Sequence, residues 1–139
     1  MKIILLTTAA LLALTPAAFA ASETFTADLK SASEVPANTS KGSGTLTATY
    51  DTASKKLTYT ATYKDLTGPA TMAHFHGPAD PKTNAPVVVP AKDAGSGTFK
   101  GEATLTDAQA ADLEAGKWYF NIHTAANKGG EIRGQVMKK

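Results

Sequence analysis

The 139-residue chain contains no cysteine, so it has no disulfide framework, no thiolate metal site and no cysteine nucleophile. Charge of one sign is also lacking: Lys and Arg together number 14, Asp and Glu 12, and the formal net charge is +2 at pH 7. No run of basic residues is longer than the terminal pair Lys138-Lys139. This balance excludes nucleic acid and anionic membrane surfaces as expected partners. Stability must come from packing alone.

Long apolar runs are confined to the N-terminus. Met1-Lys2 is followed by an apolar stretch at residues 3–14, and Ala18-Phe19-Ala20 closes the segment with small residues. This is the layout of a signal peptide, and the stretch is shorter than the ~20 apolar residues that span a bilayer. We therefore expect residues 1–20 to be cleaved and residues 21–139 to form one domain, periplasmic or secreted, without a membrane anchor.

Alternation of apolar side chains with threonine dominates the remaining sequence. Residues 24–29, 45–50 and 57–63 follow this period of two, which is typical of half-buried strands. The polar loop 51–56 makes a hairpin of the second and third. Further strand candidates lie at 71–76, 86–89, 97–104, 117–124 and 131–137. Since parallel βαβ units are lacking, we predict an all-β fold, an antiparallel Greek-key sandwich or flattened barrel of about eight strands.

One segment departs from this pattern. Thr106 and Gln109 have the spacing of a capping box, and Gly116 follows a stretch of helix-forming residues that ends at Ala115. We predict one short crossover helix here.

The chemistry-bearing residues are scarce, since histidine occurs three times. His74 and His76 are separated by Phe75, and side chains at i and i+2 share one face of a strand. Phe75 is thereby directed to the core, and the two imidazoles form a chelating pair on the other face. The third histidine, His123, lies out of phase with the apolar residues of its own segment, which are Trp118, Phe120 and Ile122.

Neighbouring strands lie about 4.8 Å apart, so His123 would complete a three-nitrogen site if its strand is adjacent to that of His74 and His76. An all-imidazole site suits copper or zinc, and copper has the higher intrinsic affinity. The alternative is that these are surface histidines whose hydrogen bonds hold loops in place.

Three polar residues are candidates to hold these ligands from outside: Asn121, Glu131 and Arg133. Asn121 shares the strand face of His123, whereas Glu131 and Arg133 are i, i+2 partners that could form an ion pair or orient a ligand. We favour a structural role for the latter two. Ser43 and Ser96 lie in Gly-Ser-Gly turns without the context of a nucleophile elbow. No catalytic residue is assigned.

Several longer strings together resemble the CHRD (chordin-type) domain family. They are Ser33-Glu34-Val35-Pro36, Ala73-His74-Phe75-His76-Gly77-Pro78-Ala79, Tyr119-Phe120-Asn121-Ile122-His123-Thr124 and Gly130-Glu131-Ile132-Arg133-Gly134-Gln135-Val136. The resemblance implies an exported all-β domain, found alone in bacteria and repeated in the animal protein chordin, with no established general activity. Ala37 departs from the family pattern, in which a second proline is common there.

A more distant likeness is to copper/zinc superoxide dismutases. By that likeness His74, His76 and His123 match three of four copper ligands, and Arg133 matches the arginine that guides the anion. The chain has no further histidine to bridge two metals. The main hypothesis is therefore an exported domain that binds one copper ion, with zinc as the alternative metal, in copper handling or a redox-linked role. A non-catalytic scaffold that binds another exported protein is the rival, and a dismutase-like enzyme comes third.

Overall fold

The computed structural model describes residues 21–93 and 95–139. The predicted signal peptide, residues 1–20, lies outside this part and stays a prediction. Within the described residues the chain forms nine strands and one α-helix. In chain order they are β1 (Ser22–Lys30), β2 (Ser43–Asp51), β3 (Lys56–Lys64), β4 (Ala70–His76), β5 (Val87–Pro90), β6 (Thr98–Thr104), α1 (Asp107–Glu114), β7 (Tyr119–Thr124), β8 (Ile132–Gln135) and β9 (Met137–Lys138).

All strand pairs are antiparallel, and eight strands follow one another in a single sheet in the order β5-β4-β7-β8-β1-β2-β3-β6, with β9 paired to β1. The β2–β3 hairpin is confirmed, with Asp51 opposite Lys56. The segment predicted as one strand at 131–137 is two strands: β8 pairs with β7, β9 pairs with β1, and the fully buried Val136 lies between them. The strand count is thus one above the expected eight.

The two ends of the sheet meet beyond β5. Asp93 forms a bridge with Phe99 of β6, and the N–H of Lys100 donates to the carbonyl of Lys92 at 3.1 Å. We call this contact between residues 92–93 and β6 the seam. It makes the sheet a nearly closed barrel, which decides between the two predicted all-β architectures.

The core fills the inside of this barrel. In β1, β2 and β3 the apolar residues of the alternating pattern are buried, except that Tyr63 near the end of β3 is only partly buried, while most of the threonines lie outside. Phe75 lies at the centre of an aromatic group, with ring centroids 4.8 Å from Phe120 and 5.8 Å from Trp118. Both partners are fully buried, as the phase of β7 predicts.

Helix α1 is the predicted crossover between β6 and β7. The capping box is present: the N–H of Gln109 donates to Oγ1 of Thr106 at 3.2 Å, and the N–H of Thr106 donates to Oε1 of Gln109 at 2.9 Å. Ala110 and Leu113 are its buried residues. The helix therefore covers the core with one narrow face. No helix in the described part of the chain is long and apolar enough to cross a membrane.

Strand β7 is buried on both faces, unlike β1 to β3. Its outward residues Tyr119, Asn121 and His123 expose only 2%, 3% and 7% of their surface. Loops contact this outer face through hydrogen bonds. The N–H of Ala85 donates to the hydroxyl of Tyr119, and the carbonyls of Ala85 and Lys128 accept from the rings of His76 and His123. The outward face predicted from phase is confirmed, but it is a polar interior rather than a solvated surface.

Candidate metal centre

Strands β4 and β7 are neighbours, as the three-histidine hypothesis requires. His74 lies opposite Asn121, and His76 lies opposite Tyr119. His123 is two residues beyond Asn121 on the same face. One nitrogen from each of the three imidazoles can be chosen such that all lie within 4.8 Å of one another. The sheet thus gathers side chains from distant parts of the sequence on one outward face.

Two of the three rings are fixed by backbone carbonyls. Nδ1 of His76 lies 2.9 Å from the carbonyl oxygen of Ala85, and Nδ1 of His123 lies 2.8 Å from that of Lys128. A carbonyl oxygen only accepts hydrogen bonds, so each Nδ1 must carry the proton and donate. In a neutral imidazole the Nε2 atom then has a free lone pair.

Both of these Nε2 atoms face the side chain of Asn121. Oδ1 of Asn121 lies 3.0 Å from Nε2 of His76 and 3.0 Å from Nε2 of His123. Three lone pairs in this orientation point at one another, which is unfavourable without a positive charge between them. Either a cation at this point or a half-turn of the Asn121 amide, which would direct its NH2 group to the rings, removes the conflict.

His74 completes the cluster from the more open side. Its Nδ1 lies 3.2 Å from Nε2 of His123, and its ring is partly exposed. Burial, followed by the nearness of His123 and His76, lowers the pKa of His74 to about 4. Burial also lowers the pKa of His76. These two rings are therefore neutral near pH 7, which is the form that binds a metal.

Arg133 stabilises the loop behind His76. Its guanidinium donates to Oδ1 of Asn84 at 2.8 Å and to the carbonyl of Thr83 at 2.7 Å, and it lies 3.4 Å over the ring of Tyr119. The His76 ring stacks on the same tyrosine at 4.7 Å. Arg133 is 1% exposed, so it holds the loop that carries Ala85, the hydrogen-bond partner of His76.

Glu131 has the corresponding position for the loop behind His123. It is fully buried and accepts hydrogen bonds from Ser40, Thr67, Thr124 and Asn127. Burial by itself would raise the pKa of Glu131, but the bonds from Ser40, Thr124 and Thr67 lower it to about 2. The ion pairs found among residues 21–93 and 95–139 do not include Glu131 or Arg133. Each residue ties a different loop to β7 or β8.

Three residues near the cluster were not predicted from the sequence as part of the site. Asn84 and Tyr119 hold Arg133, and Glu34 lies 5% exposed beside Asn121 and Gly130. Burial raises the pKa of Glu34 to about 7, although Arg133 and a hydrogen bond from Asn121 act against that rise. Tyr119 shares the phase of His123, which was a usable signal, whereas no periodicity marks Asn84 or Glu34.

Fold and site together define a class: a small antiparallel barrel domain with a loop-covered cluster of three histidines on its outer face. The chain belongs to the CHRD domain family, whose model matches residues 25–136. This confirms the family suggested by the sequence motifs. Searches of curated proteins and of solved structures found no match to the chain.

Proposed function

We propose that this domain binds one copper ion through His74, His76 and His123. The observation that carries the proposal is that Nδ1 of His76 and of His123 each donates to a backbone carbonyl. Histidines that bind metals almost always use their second ring nitrogen in this way, which fixes the tautomer and aims the free lone pair. The free Nε2 atoms of both rings converge on the same point beside Asn121, as the ligands of a single ion would.

The spacing of the rings supports a single ion. With bonds of about 2.0–2.1 Å, two nitrogens bound to one metal lie at most ~4.2 Å apart. The three nitrogens lie within 4.8 Å of one another, and His74, whose hydrogen bond is to His123 rather than to a carbonyl, is the ring best able to rotate inward. Copper is proposed over zinc because the ligands are imidazoles and copper stands higher in intrinsic affinity.

Titration of metal-free protein with copper and, separately, with zinc tests this proposal. We expect one tight site per chain, with copper preferred. His74→Ala, His76→Ala and His123→Ala should each weaken binding strongly, while circular dichroism shows that the β-structure persists. Protons compete with the metal for the imidazole nitrogens, so affinity should fall at acidic pH. Because burial lowers the pKa of His74 to about 4, protonation of that ligand should weaken binding only as the pH approaches that value.

Lys128→Ala is the matched control. It removes an exposed side chain but keeps the carbonyl that accepts from His123, so the stoichiometry should not change. A variant in which His74, His76 and His123 are all replaced by alanine gives the background level of copper binding. If the wild-type protein binds no more copper than this variant, the proposal is wrong.

Export to the periplasm or the cell exterior is part of the same proposal and is supported by the sequence of residues 1–20. The rival function is a non-catalytic interaction domain, which is favoured by the exposed side chains of Met72 and Val87 beside the cluster. If the protein binds no copper, the non-catalytic interaction domain becomes the favoured function. A dismutase activity is not proposed, because the chain has no histidine beyond these three for a bridged second metal.

A further inference from the structure

Met72 lies next to the histidine cluster on the same strand as two of its members. It is directly opposite His123 in the β4–β7 pairing, while Ala70 is opposite Thr124. Two steps on β4 thus match one on β7, which is the pattern of a bulge at Thr71. Bulges redirect side chains, often beside functional sites. This one sets Met72 across from a proposed ligand.

Met72 also has the reach and the freedom to join the cluster. Directly opposed residues of an antiparallel pair have Cβ atoms about 4.5–5.5 Å apart, and the methionine sulfur extends two bonds beyond its Cβ. Its side chain is 49% exposed, so rotation breaks no core packing. A single exposed apolar residue is ordinary on a protein surface. The register opposite His123 is what distinguishes this one.

The chemistry of the surroundings favours a soft ion of low charge. No carboxylate belongs to the group of potential ligands among the described residues, which consists of His74, His76 and His123. The buried guanidinium of Arg133 stacks on Tyr119, the ring against which His76 also packs. A set of neutral ligands compensates the charge of a divalent ion less than a set with carboxylates would, so it disfavours a divalent ion more than a monovalent one. A thioether is a ligand selective for Cu(I).

We propose that the thioether of Met72 is a fourth ligand and that the site thereby prefers Cu(I) to Zn(II). This rests on the proposed copper site. The two carbonyl-anchored rings, His76 and His123, form the fixed half of the site. His74 and Met72 form its exposed half, through which the ion enters and leaves.

The test compares Met72→Leu with Met137→Leu, which removes another exposed methionine, on β9. Cu(I) affinity is measured without oxygen by competition with a chromophoric chelator, and Zn(II) affinity by a fluorescent chelator. Met72→Leu should weaken Cu(I) binding at least about tenfold. A loss of about tenfold is already the lower end of what is seen when a residue that only hydrogen-bonds a metal ligand is replaced. Zn(II) binding should stay unchanged, and Met137→Leu should alter neither.

X-ray absorption at the copper edge gives an independent readout. The chain has no cysteine, so a sulfur neighbour of bound Cu(I) must be a methionine, and it should vanish in Met72→Leu alone. Unchanged Cu(I) affinity in that variant, or a wild-type spectrum without sulfur, overturns the role of Met72 while leaving the histidine site intact. Failure of the copper site itself gives a different result: the variant in which all three histidines are replaced by alanine would then bind Cu(I) as the wild type does.

Discussion

The buried carboxylate of Glu131 offers the sharpest test of how the loops around the cluster are held. It receives hydrogen bonds from Thr67, Thr124 and Asn127 at 2.6–3.1 Å, and also one from Ser40. In Glu131→Gln the shape is kept, but one oxygen acceptor is replaced by an NH2 group that faces these donors. We expect the variant to be clearly less stable.

The magnitude follows from the pKa of Glu131, which falls from 4.5 to about 2 on folding. At about 1.36 kcal/mol per pKa unit, this difference stabilises the ionised folded protein by about 3 kcal/mol. Because the folded pKa of Glu131 is the lower one, the stabilisation is complete above pH 4.5 and is lost as the pH falls from there through about 2.

Urea unfolding near pH 7 and near pH 3, followed by the fluorescence of the single tryptophan, measures both effects. Glu131→Gln should be about 3 kcal/mol less stable than the wild type near pH 7, and this difference should shrink near pH 3. The pH dependence that Glu34 contributes is common to both proteins and cancels in the difference. Glu102→Gln is the matched control, because Glu102 forms an exposed pair with Lys56 worth at most about 1 kcal/mol. The reasoning fails if Glu131→Gln matches this control, or if it retains the acid dependence of the wild type.

Two further predictions concern stability. Trp118→Ala should cost about 3–5 kcal/mol in urea unfolding, since it empties a fully buried site, whereas Val87→Ala at an exposed position should cost below about 1 kcal/mol. Glu34 should act opposite to Glu131: its folded pKa of about 7 is above the ordinary 4.5, so metal-free protein should lose about 3 kcal/mol as the pH rises through that interval. Glu34→Gln should abolish this loss, and a wild-type stability that stays flat between those two pH values would contradict the account.

Much of the fold could be read from the sequence because alternation is a local signal. Apart from the partly buried Tyr63, the apolar residues of β1, β2 and β3 are buried as their phase predicts, and the capping box at Thr106 begins α1. The alternating pattern does not distinguish a sandwich from a barrel. It depends on the seam, where Asp93 meets Phe99, and that pairing joins a turn-rich segment to a strand without any periodic pattern.

The candidate site was predictable in part. The shared face of His74 and His76 follows from strand geometry, but the adjacency of β4 and β7 is a long-range pairing that had to be assumed. The anchoring partners of His76 and His123 are the carbonyls of Ala85 and Lys128. Every residue has a carbonyl, so no residue type could have marked them.

The seam also bears on how the protein behaves at high concentration. An open sheet of eight strands would present two edges with unpaired N–H and C=O groups, and such edges template pairing between molecules. Here one edge strand, β5, has only four residues and ends at Pro90, which has no N–H to offer. The bond from Lys100 to Lys92 and the bridge from Phe99 to Asp93 bring the other edge, β6, against the chain that follows β5. A threonine-rich chain without disulfides thereby protects both ends of its sheet from intermolecular β-aggregation, using one proline and a few backbone contacts.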